Sequence, residues 1–323
     1  MSTSTKSYIE AVNESHRQTL AEIDDAFVMG EDVEAGLTGT TPGLVAEFGP
    51  ERVRDTPISE PAFTGLGVGA AMVGKRPIVE YQINTATYVA MDQVVNQAAK
   101  LSHMSDGQIS APLTITVPMA GAPGSLAGQH SDNPYPAFMN YGVKTVIPTT
   151  PHDAKGLFRS AVEEDDPVMV FFPTVLQSDE GEVPDESYTV PLGEAAVRRE
   201  GADVTVVAVG ETVEMALEVA EGLADEVDVE VVDVRSLVPL DEETILESVE
   251  KTGRVIVADN ANRLCGAAAE IAARVANVGF WSLEAPVKRV TRLHTVPPSF
   301  APPQERRILA DADTIERAVR DLT

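Results

Sequence analysis

The glutamate at position 60 is the first residue whose type and setting could do chemistry. It lies in the block RVRDTPISEPAFTGLGVGAAMVGKRPIVEY, residues 52–81, and Pro61 follows it directly. Proline is favoured at the first helical position, so the pair predicts a helix that begins with Glu60 at or next to the cap. Glu60 can therefore be a capping carboxylate or a proton-transferring group, and the residues alone leave both interpretations open.

The helix predicted after Glu60 contains several residues with a very small side chain or none. It carries Gly65, Gly69 and Ala70. A glycine inside a helix costs about 1 kcal/mol relative to alanine. Several glycines in one helix therefore need a compensating gain, most simply another backbone packed closely against them. The sequence predicts such a close approach here.

A second candidate is a histidine in a polar loop. The segment GSLAGQHSDNPYPAF, residues 124–138, surrounds Gln129, His130 and Ser131 with small and polar residues. Such a loop can present the His130 imidazole for proton transfer near neutral pH, although an isolated histidine can also be incidental. The other histidines show no metal-ligand spacing: His16, His103, His152 and His294.

Several common catalytic motifs are missing from the sequence. It contains no P-loop, no Rossmann glycine fingerprint and no nucleophile elbow, so we do not expect this chain to bind NAD itself. Its one cysteine, Cys265, allows neither an intrachain disulfide nor a cysteine metal cluster. We predict no metal site built by this chain.

Short apolar runs alternate with helical patterns along the whole chain. This alternation predicts the α/β class, with two doubly wound domains that are each built on a parallel sheet. Helices are expected at residues 7–23 and 91–104, and from Thr150 as N-cap with Pro151 at the first helical position. The main strands are expected at RPIVEY (76–81), PLTITVP (112–118), VKTVIP (143–148), PVMVFF (167–172), VTVVAV (204–209), VEVVDV (229–234) and RVIVAD (254–259).

The composition shift near the middle of the chain predicts the domain boundaries. The stretch QSDEGEVPDES is acidic, contains a proline and has no periodicity. We therefore predict a first domain at 1–175, an acidic linker at 176–191 and a second domain at 192–323.

The net charge is the most unusual bulk property. The 323 residues carry 51 acids against 24 bases, which gives −27. Such a field repels phosphate backbones and anionic membranes, so we expect neither nucleic acid nor membrane as a partner. We interpret the scattered acids as an adaptation to high salt in a halophile; an ordinary acidic bacterial protein is the alternative. Because no apolar signal core or membrane-length run is present, we expect a cytoplasmic protein.

These blocks together resemble a known family, the β subunits of thiamine-diphosphate-dependent pyruvate, branched-chain 2-oxoacid and acetoin dehydrogenases. The resemblance covers nearly the whole chain. It is carried by MGEDV (29–33), DTPISEPAFTGLGVGAAMVGKRPIVEY (55–81), DQVVNQAAK (92–100), GQHSD (128–132), PTTPHDAKGLFRSAVEEDDPV (148–168), VEVVDVRSLVPLD (229–241), GAAAEIAARV (266–275) and APVKRVT (285–291).

The resemblance implies a transketolase-like fold, with a pyrimidine-binding domain followed by a transketolase C-terminal domain. It implies thiamine diphosphate as cofactor, an α subunit as partner in an α2β2 heterotetramer, and a lipoyl acyltransferase core as acyl acceptor. The chain lacks the Gly-Asp-Gly motif that holds magnesium in such enzymes, and the resemblance assigns that magnesium to the α subunit. A structural potassium ion near the PLTIT strand and the EEDDPV turn is also implied.

The resemblance assigns the site residues one by one. Glu60 matches the glutamate that hydrogen-bonds the pyrimidine ring of the cofactor, and His130 matches the histidine that serves proton transfer during acyl transfer. Glu31 lies where the family has a glutamate near the pyrimidine, and Ile58 is expected to line the same pocket. Ala86 stands 26 residues after Glu60, where the family commonly has an aromatic residue. This last position is a departure from the pattern.

Three functions fit the resemblance. The first is oxidative decarboxylation of a 2-oxoacid with acyl transfer to a lipoyl group. The second is acetoin cleavage by the same cofactor chemistry. The third is a non-catalytic assembly subunit, which the loss of the aromatic residue at Ala86 would suit. A stand-alone transketolase is disfavoured by the chain length and the missing magnesium motif. The sequence does not name the 2-oxoacid.

Overall fold

The computed structural model of the chain describes residues 2–120, 128–293 and 298–323. The chain forms two compact units. The first consists of the described residues of Met1–Ala120 and Ala137–Leu192, and the second of those of Gly121–Pro136 and Gly193–Thr323. Among the described residues no helix has both the length and the apolar character needed to cross a bilayer.

Strands and helices alternate as the sequence predicts. The strands are β1 (Thr3–Ser7), β2 (Ala26–Gly30), β3 (Val53–Asp55), β4 (Arg76–Glu80), β5 (Thr114–Ala120), β6 (Lys144–Val146), β7 (Val168–Pro173), β8 (Glu180–Pro184), β9 (Ala196–Arg199), β10 (Val204–Ala208), β11 (Val229–Asp233), β12 (Ser236–Val238), β13 (Val255–Asn262) and β14 (Lys288–Arg292). The helices are α1 (Tyr8–Glu22), α2 (Leu44–Phe48), α3 (Glu60–Met72), α4 (Ala86–Val89), α5 (Leu101–Met104), α6 (Tyr135–Met139), α7 (Pro151–Glu163), α8 (Thr212–Gly222), α9 (Glu242–Thr252), α10 (Ala267–Val278), α11 (Pro302–Glu305) and α12 (Ala312–Arg320).

The first unit is built on a parallel sheet with the strand order β6-β7-β5-β4-β2-β3. Ile78 of β4 belongs to a core that contains apolar residues of α1 and α7. Val79, the next residue, points to the opposite face and lies against α3 at Gly67. Because adjacent strand residues face opposite sides, both faces of this sheet are covered by helices, as the fold class requires.

The second unit contains a five-stranded sheet with the order β14-β13-β10-β11-β9. All pairings are parallel except that of β9, which runs antiparallel to β11 at the edge. Val206 of β10 packs with α8 and α12 in one core. On the other face Thr205 exchanges a 2.8 Å hydrogen bond with Thr252 of α9. The doubly wound architecture predicted for this half is confirmed.

Local sequence signals set several helix ends. Ser7 caps α1 in a capping box with Glu10, and Thr150 caps α7 by accepting a hydrogen bond from the Asp153 backbone. The single helix predicted over 91–104 is wrong in detail. Residues Gln93–Ala99 form a π-helix that ends at Lys100, and α5 follows. Helical periodicity cannot distinguish these two helix types over so short a stretch.

The segment expected to be a linker, 176–191, contains β8. This strand pairs antiparallel with β1, from Thr3 opposite Pro184 to Ser7 opposite Glu180. Beyond it, Asp185 forms a 3.1 Å ion pair with Lys6. Strand pairing therefore attaches the acidic stretch to the first unit. The sequence did not indicate this strand, because the stretch has no apolar periodicity.

Candidate active site

Glu60 occupies the first turn of α3, where the sequence places it. The helix begins at Glu60, with Ser59 before it and Pro61 after it, and Ser59 provides no side-chain cap. The Glu60 side chain is half-buried. Within the described residues its carboxylate has no hydrogen-bond partner, so it does not act as a cap. The capping interpretation left open by the sequence is therefore disfavoured.

A second carboxylate lies within electrostatic range of Glu60. Glu31 follows directly after β2, and burial is the main cause that raises the pKa of its carboxyl group; the nearby charges of Glu60 and then Asp32 raise it further. Its Oε1 atom is buried and accepts no hydrogen bond in the described part of the chain. An acceptor hidden from water without a donor costs free energy. The pair is therefore suited to receive donor groups from a bound molecule.

The segment that carries Glu31 is anchored by a buried glutamate at the end of β4. The carboxylate of Glu80 accepts hydrogen bonds of 2.7 Å from Thr38 and 2.6 Å from Thr40, and its residue is only 1% exposed. Burial raises the pKa of Glu80, and the threonine hydroxyls oppose that shift. Gln82 also donates a 2.6 Å hydrogen bond to Asp32, next to Glu31. These contacts fix the backbone that presents Glu31.

An aromatic residue lies near the carboxylate pair. Tyr81 is buried, and its hydroxyl shares a 2.7 Å hydrogen bond with Thr64 of α3. Burial raises its pKa, and the charge of Glu60 adds to that effect. Ala86 is buried at the start of α4, whereas Ile58 is 81% exposed on this chain. Tyr81 is therefore an aromatic residue of this unit within electrostatic range of Glu60.

Two glycines of α3, Gly67 and Gly69, have different surroundings. A Cβ atom on Gly67 would lie 2.8 Å from Val79 Cγ2, so this glycine lets the helix approach the sheet. A Cβ on Gly69 would meet nothing within 4 Å. The close contact thus occurs at Gly67, a glycine that the prediction did not name, and it is made by side chains of the sheet and not by a backbone. Gly69, which the prediction did name, leaves bare helix surface exposed.

His130 belongs to the second unit. It lies in the one-turn 3-10 helix Gly128–Ser131 and is half-buried. Part of the predicted loop 124–138, the residues 124–127, lies outside the described residues. The Gly128 backbone N–H donates a 2.8 Å hydrogen bond to the Pro298 carbonyl, which attaches this short helix to the C-terminal part of the unit.

Residues after His130 are tied to the sheet of the second unit. The Arg292 guanidinium donates to Asp132 at 2.6 Å and to the Asn262 side chain at 2.7 Å. The Tyr135 hydroxyl donates a hydrogen bond to Asp259, near the carboxyl end of β13. These buried partners restrict the backbone that presents the imidazole.

A buried acid accompanies this attachment. Glu211 precedes α8, and burial raises its carboxyl pKa to about 7, helped by the neighbouring charge of Asp259 and opposed by Arg292. Burial also raises the pKa of Asp259, against the hydrogen bond from Tyr135. Sequence inspection missed this cluster. The position of Asp259 near the end of a buried parallel strand was the available signal.

The remaining histidines do not form a site. His16 is fully buried and stacks on Phe158, and burial lowers its pKa to about 4. His152 stacks on Tyr188. His103 ends α5, and His294 lies outside the described residues. In the described part of the chain no group of three His, Cys, Asp or Glu side chains is arranged to hold a metal ion.

Comparison with known proteins agrees with this architecture. The family "Transketolase, pyrimidine binding domain" matches residues 4–177, and "Transketolase, C-terminal domain" matches residues 193–315. A solved structure described as "Split gene transketolase, inactive beta4 tetramer" superposes with a TM-score of 0.76 at 23% identity, over 98% of this chain and 97% of that one. The fold and the two family matches thus define a two-domain, transketolase-like protein.

Curated relatives narrow the class to a family. The β subunit of acetoin:2,6-dichlorophenolindophenol oxidoreductase of Bacillus subtilis is 42% identical, covering 97% of this chain and 96% of its own length. The 2-oxoisovalerate dehydrogenase β subunit of Bacillus subtilis is 38% identical over 99% of both chains. The pyruvate dehydrogenase E1 component β subunit of that species is 40% identical over 90% of both. The chain belongs to this family of dehydrogenase E1 β subunits, as the sequence resemblance indicated.

Proposed function

We propose that the chain is the β subunit of a thiamine-diphosphate-dependent 2-oxoacid dehydrogenase. The enzyme would decarboxylate a 2-oxoacid oxidatively and pass the acyl group to a lipoyl group on an acyltransferase core. The observation that carries this proposal is the pair formed by Glu31 and Glu60, with a buried and unpartnered oxygen on Glu31. Sequence identities near 40% to β subunits of such enzymes support it independently.

The residues of the first unit fit the aminopyrimidine half of thiamine diphosphate. That ring offers N–H donors and ring nitrogens, and the carboxylates of Glu31 and Glu60 offer the matching oxygens. When bound, the cofactor supplies the carbanion-stabilising chemistry of the reaction. Glu60 would hold or release a proton at a ring nitrogen, and Glu31 would orient the ring through its buried oxygen. Ile58, Tyr81 and Ala86 would line the pocket.

The diphosphate and its magnesium ion would be held by an α subunit, since this chain has no Gly-Asp-Gly motif. Exposed apolar residues near Glu60 support such a partner. Ile58, Leu66 and Val73 are 81%, 57% and 79% exposed, and Gly69 is open beside them. Large apolar side chains exposed in this way are typical of protein–protein interfaces. We propose an α2β2 heterotetramer.

His130 would serve proton transfer during passage of the acyl group to the lipoyl arm. Its attachment through Asp132 and Arg292 gives the imidazole a defined position in the second unit. We also propose the domain limits 1–175 and 192–323 with the segment 176–191 between them, a structural potassium ion near the start of β5, and action in the cytoplasm of a halophile.

A second candidate function is acetoin cleavage, because one relative at 42% identity is an acetoin oxidoreductase subunit. One purified αβ complex should be assayed in parallel with acetoin, pyruvate and branched-chain 2-oxoacids. Turnover of acetoin alone would replace the 2-oxoacid proposal. A third candidate, a non-catalytic assembly subunit, predicts that the complex does not bind thiamine diphosphate in a calorimetric titration with magnesium.

The variant Glu60→Gln tests the catalytic assignment. It keeps the size of the side chain but removes its ability to exchange a proton. We expect loss of at least about a hundredfold in 2-oxoacid decarboxylation, with the heterotetramer intact by size-exclusion chromatography. The matched control is Glu51→Gln, which removes an 89% exposed carboxylate from the same unit and should retain full activity. Near-normal turnover of Glu60→Gln would refute the role of Glu60.

A further inference from the structure

The second unit contains a concave site lined by arginines. A cavity of about 250 Å³ has in its wall Arg263, Arg289, Arg307 and Arg317, together with Thr291 and Asp321. They come from the residue after β13, from β14, from the segment between α11 and α12, and from α12. Four arginines from separate parts of the fold thus line one cavity.

These arginines lack the counter-charges that are abundant elsewhere in the protein. The chain has 51 acids, and none of them lies among residues 121–127 or 294–297. Throughout the residues that the structure describes, no carboxylate lies within ion-pair distance of these four guanidinium groups. Asp321, the acid in the cavity wall, pairs instead with Lys288 at 2.9 Å. In a protein of net charge −27, four arginines without an ion pair around one cavity are a local concentration of positive charge.

The cavity is also held in shape. Arg289 donates a 2.9 Å hydrogen bond to the carbonyl of Arg263, and Arg263 donates one of 3.4 Å to the carbonyl of Arg289. This exchange ties the side chains of both arginines to main-chain carbonyls in the cavity wall. The hydroxyl of Thr291 is buried and has no partner among the described residues. It is a further unused polar group in the wall.

The residues that line the cavity indicate the kind of ligand that it would bind. Guanidinium groups bind phosphate oxygens through paired N–H donors, and this geometry favours arginine over lysine at phosphate sites. A cavity of about 250 Å³ has room for a compact phosphate-bearing group. The overall charge of −27 repels a long polyanion such as nucleic acid, whereas a small anion experiences mainly the local field within about 8 Å.

We propose that this cavity is a binding site for a small phosphate-bearing molecule, separate from the carboxylate pair of the first unit. Its anion would neutralise Arg289, Arg307 and Arg317 together. The proposal does not depend on the dehydrogenase function proposed above, because it rests only on contacts within the second unit.

Isothermal titration of the full chain with pyrophosphate tests the site. The titration should use the lowest KCl concentration at which circular dichroism shows the native fold. We expect saturable binding with one site per chain. The variant Arg307→Gln/Arg317→Gln removes two exposed cationic side chains without breaking an ion pair, and it should weaken binding about tenfold or more.

The matched control is Arg54→Gln/Lys75→Gln, which removes two positive charges from the first unit. It should change the dissociation constant by less than about twofold, because neither residue lines the cavity. Titrations with orthophosphate and with a nucleoside triphosphate distinguish a free phosphate from a phosphorylated metabolite as the preferred ligand. The absence of saturable binding, or equal affinities for the two double variants, would overturn the proposal.

Discussion

The titration of Glu211 should control the stability of the second unit near neutral pH. Its carboxyl pKa rises from an ordinary value of 4.5 to about 7 in the folded protein, mainly because of burial. The folded state therefore binds a proton more tightly than the unfolded state. Stability is highest while the group stays protonated, and it falls as the pH rises from 4.5 towards 7.

The size of the effect follows from the shift. A displacement of one pKa unit corresponds to about 1.4 kcal/mol, so the full shift would cost about 3 kcal/mol above pH 7. Glu211 keeps some exposed surface, and water screens part of the interaction with Asp259. We therefore expect Glu211→Gln, which cannot ionise, to be more stable than the natural chain by about 2 kcal/mol at pH 8.

Urea denaturation followed by circular dichroism, at fixed salt and at several pH values between 5.5 and 8, measures this difference. The gap between Glu211→Gln and the natural chain should widen steadily as the pH rises and level off above pH 7. Glu221→Gln is the control, because it removes an exposed carboxylate from the helix that Glu211 precedes and reports the general effect of losing one negative charge. If Glu211→Gln gave the same gap at every pH, or behaved like Glu221→Gln, burial of an ionisable Glu211 would be the wrong explanation.

Three further predictions concern packing and charge. Gly67→Ala should destabilise the chain by about 1–3 kcal/mol, because its Cβ would press on the sheet. Gly69→Ala should stabilise the isolated chain by about 0.5–1 kcal/mol, because its Cβ meets nothing. Thermal denaturation of the two variants compares them directly. Glu80→Ala should cost about 3 kcal/mol in urea denaturation, since the hydroxyls of Thr38 and Thr40 lose a charged acceptor, and a loss below about 1 kcal/mol would contradict the anchoring role. The thermal midpoint should rise with KCl because salt screens the repulsion of a −27 chain, and a flat response up to about 2 M would favour an ordinary acidic protein over a halophilic one.

Local patterns determined much of the fold. The alternation of apolar runs and helical segments predicted two parallel-sheet domains, and Pro61 and Thr150 predicted the starts of α3 and α7. These features depend on residues close together in the chain, so sequence spacing contains them. The resemblance to E1 β subunits also came from the sequence, because its motifs are contiguous blocks of the chain, and the identities of 42% and 38% to such subunits agree with it.

Only the tertiary structure decided which groups interact across the sequence. Glu60 influences the pKa of Glu31 because the end of β2 and the start of α3 come near each other in the fold. Glu80 accepts hydrogen bonds from Thr38 and Thr40 because the segment after β2 passes close to the end of β4. The arginine cavity likewise gathers residues from four separate segments. Burial, pKa shifts and missing counter-charges arise from surroundings that are distant along the chain. The sequence by itself therefore determined the class of fold, the family and the identity of the carboxylates, while packing decided what those carboxylates and arginines face.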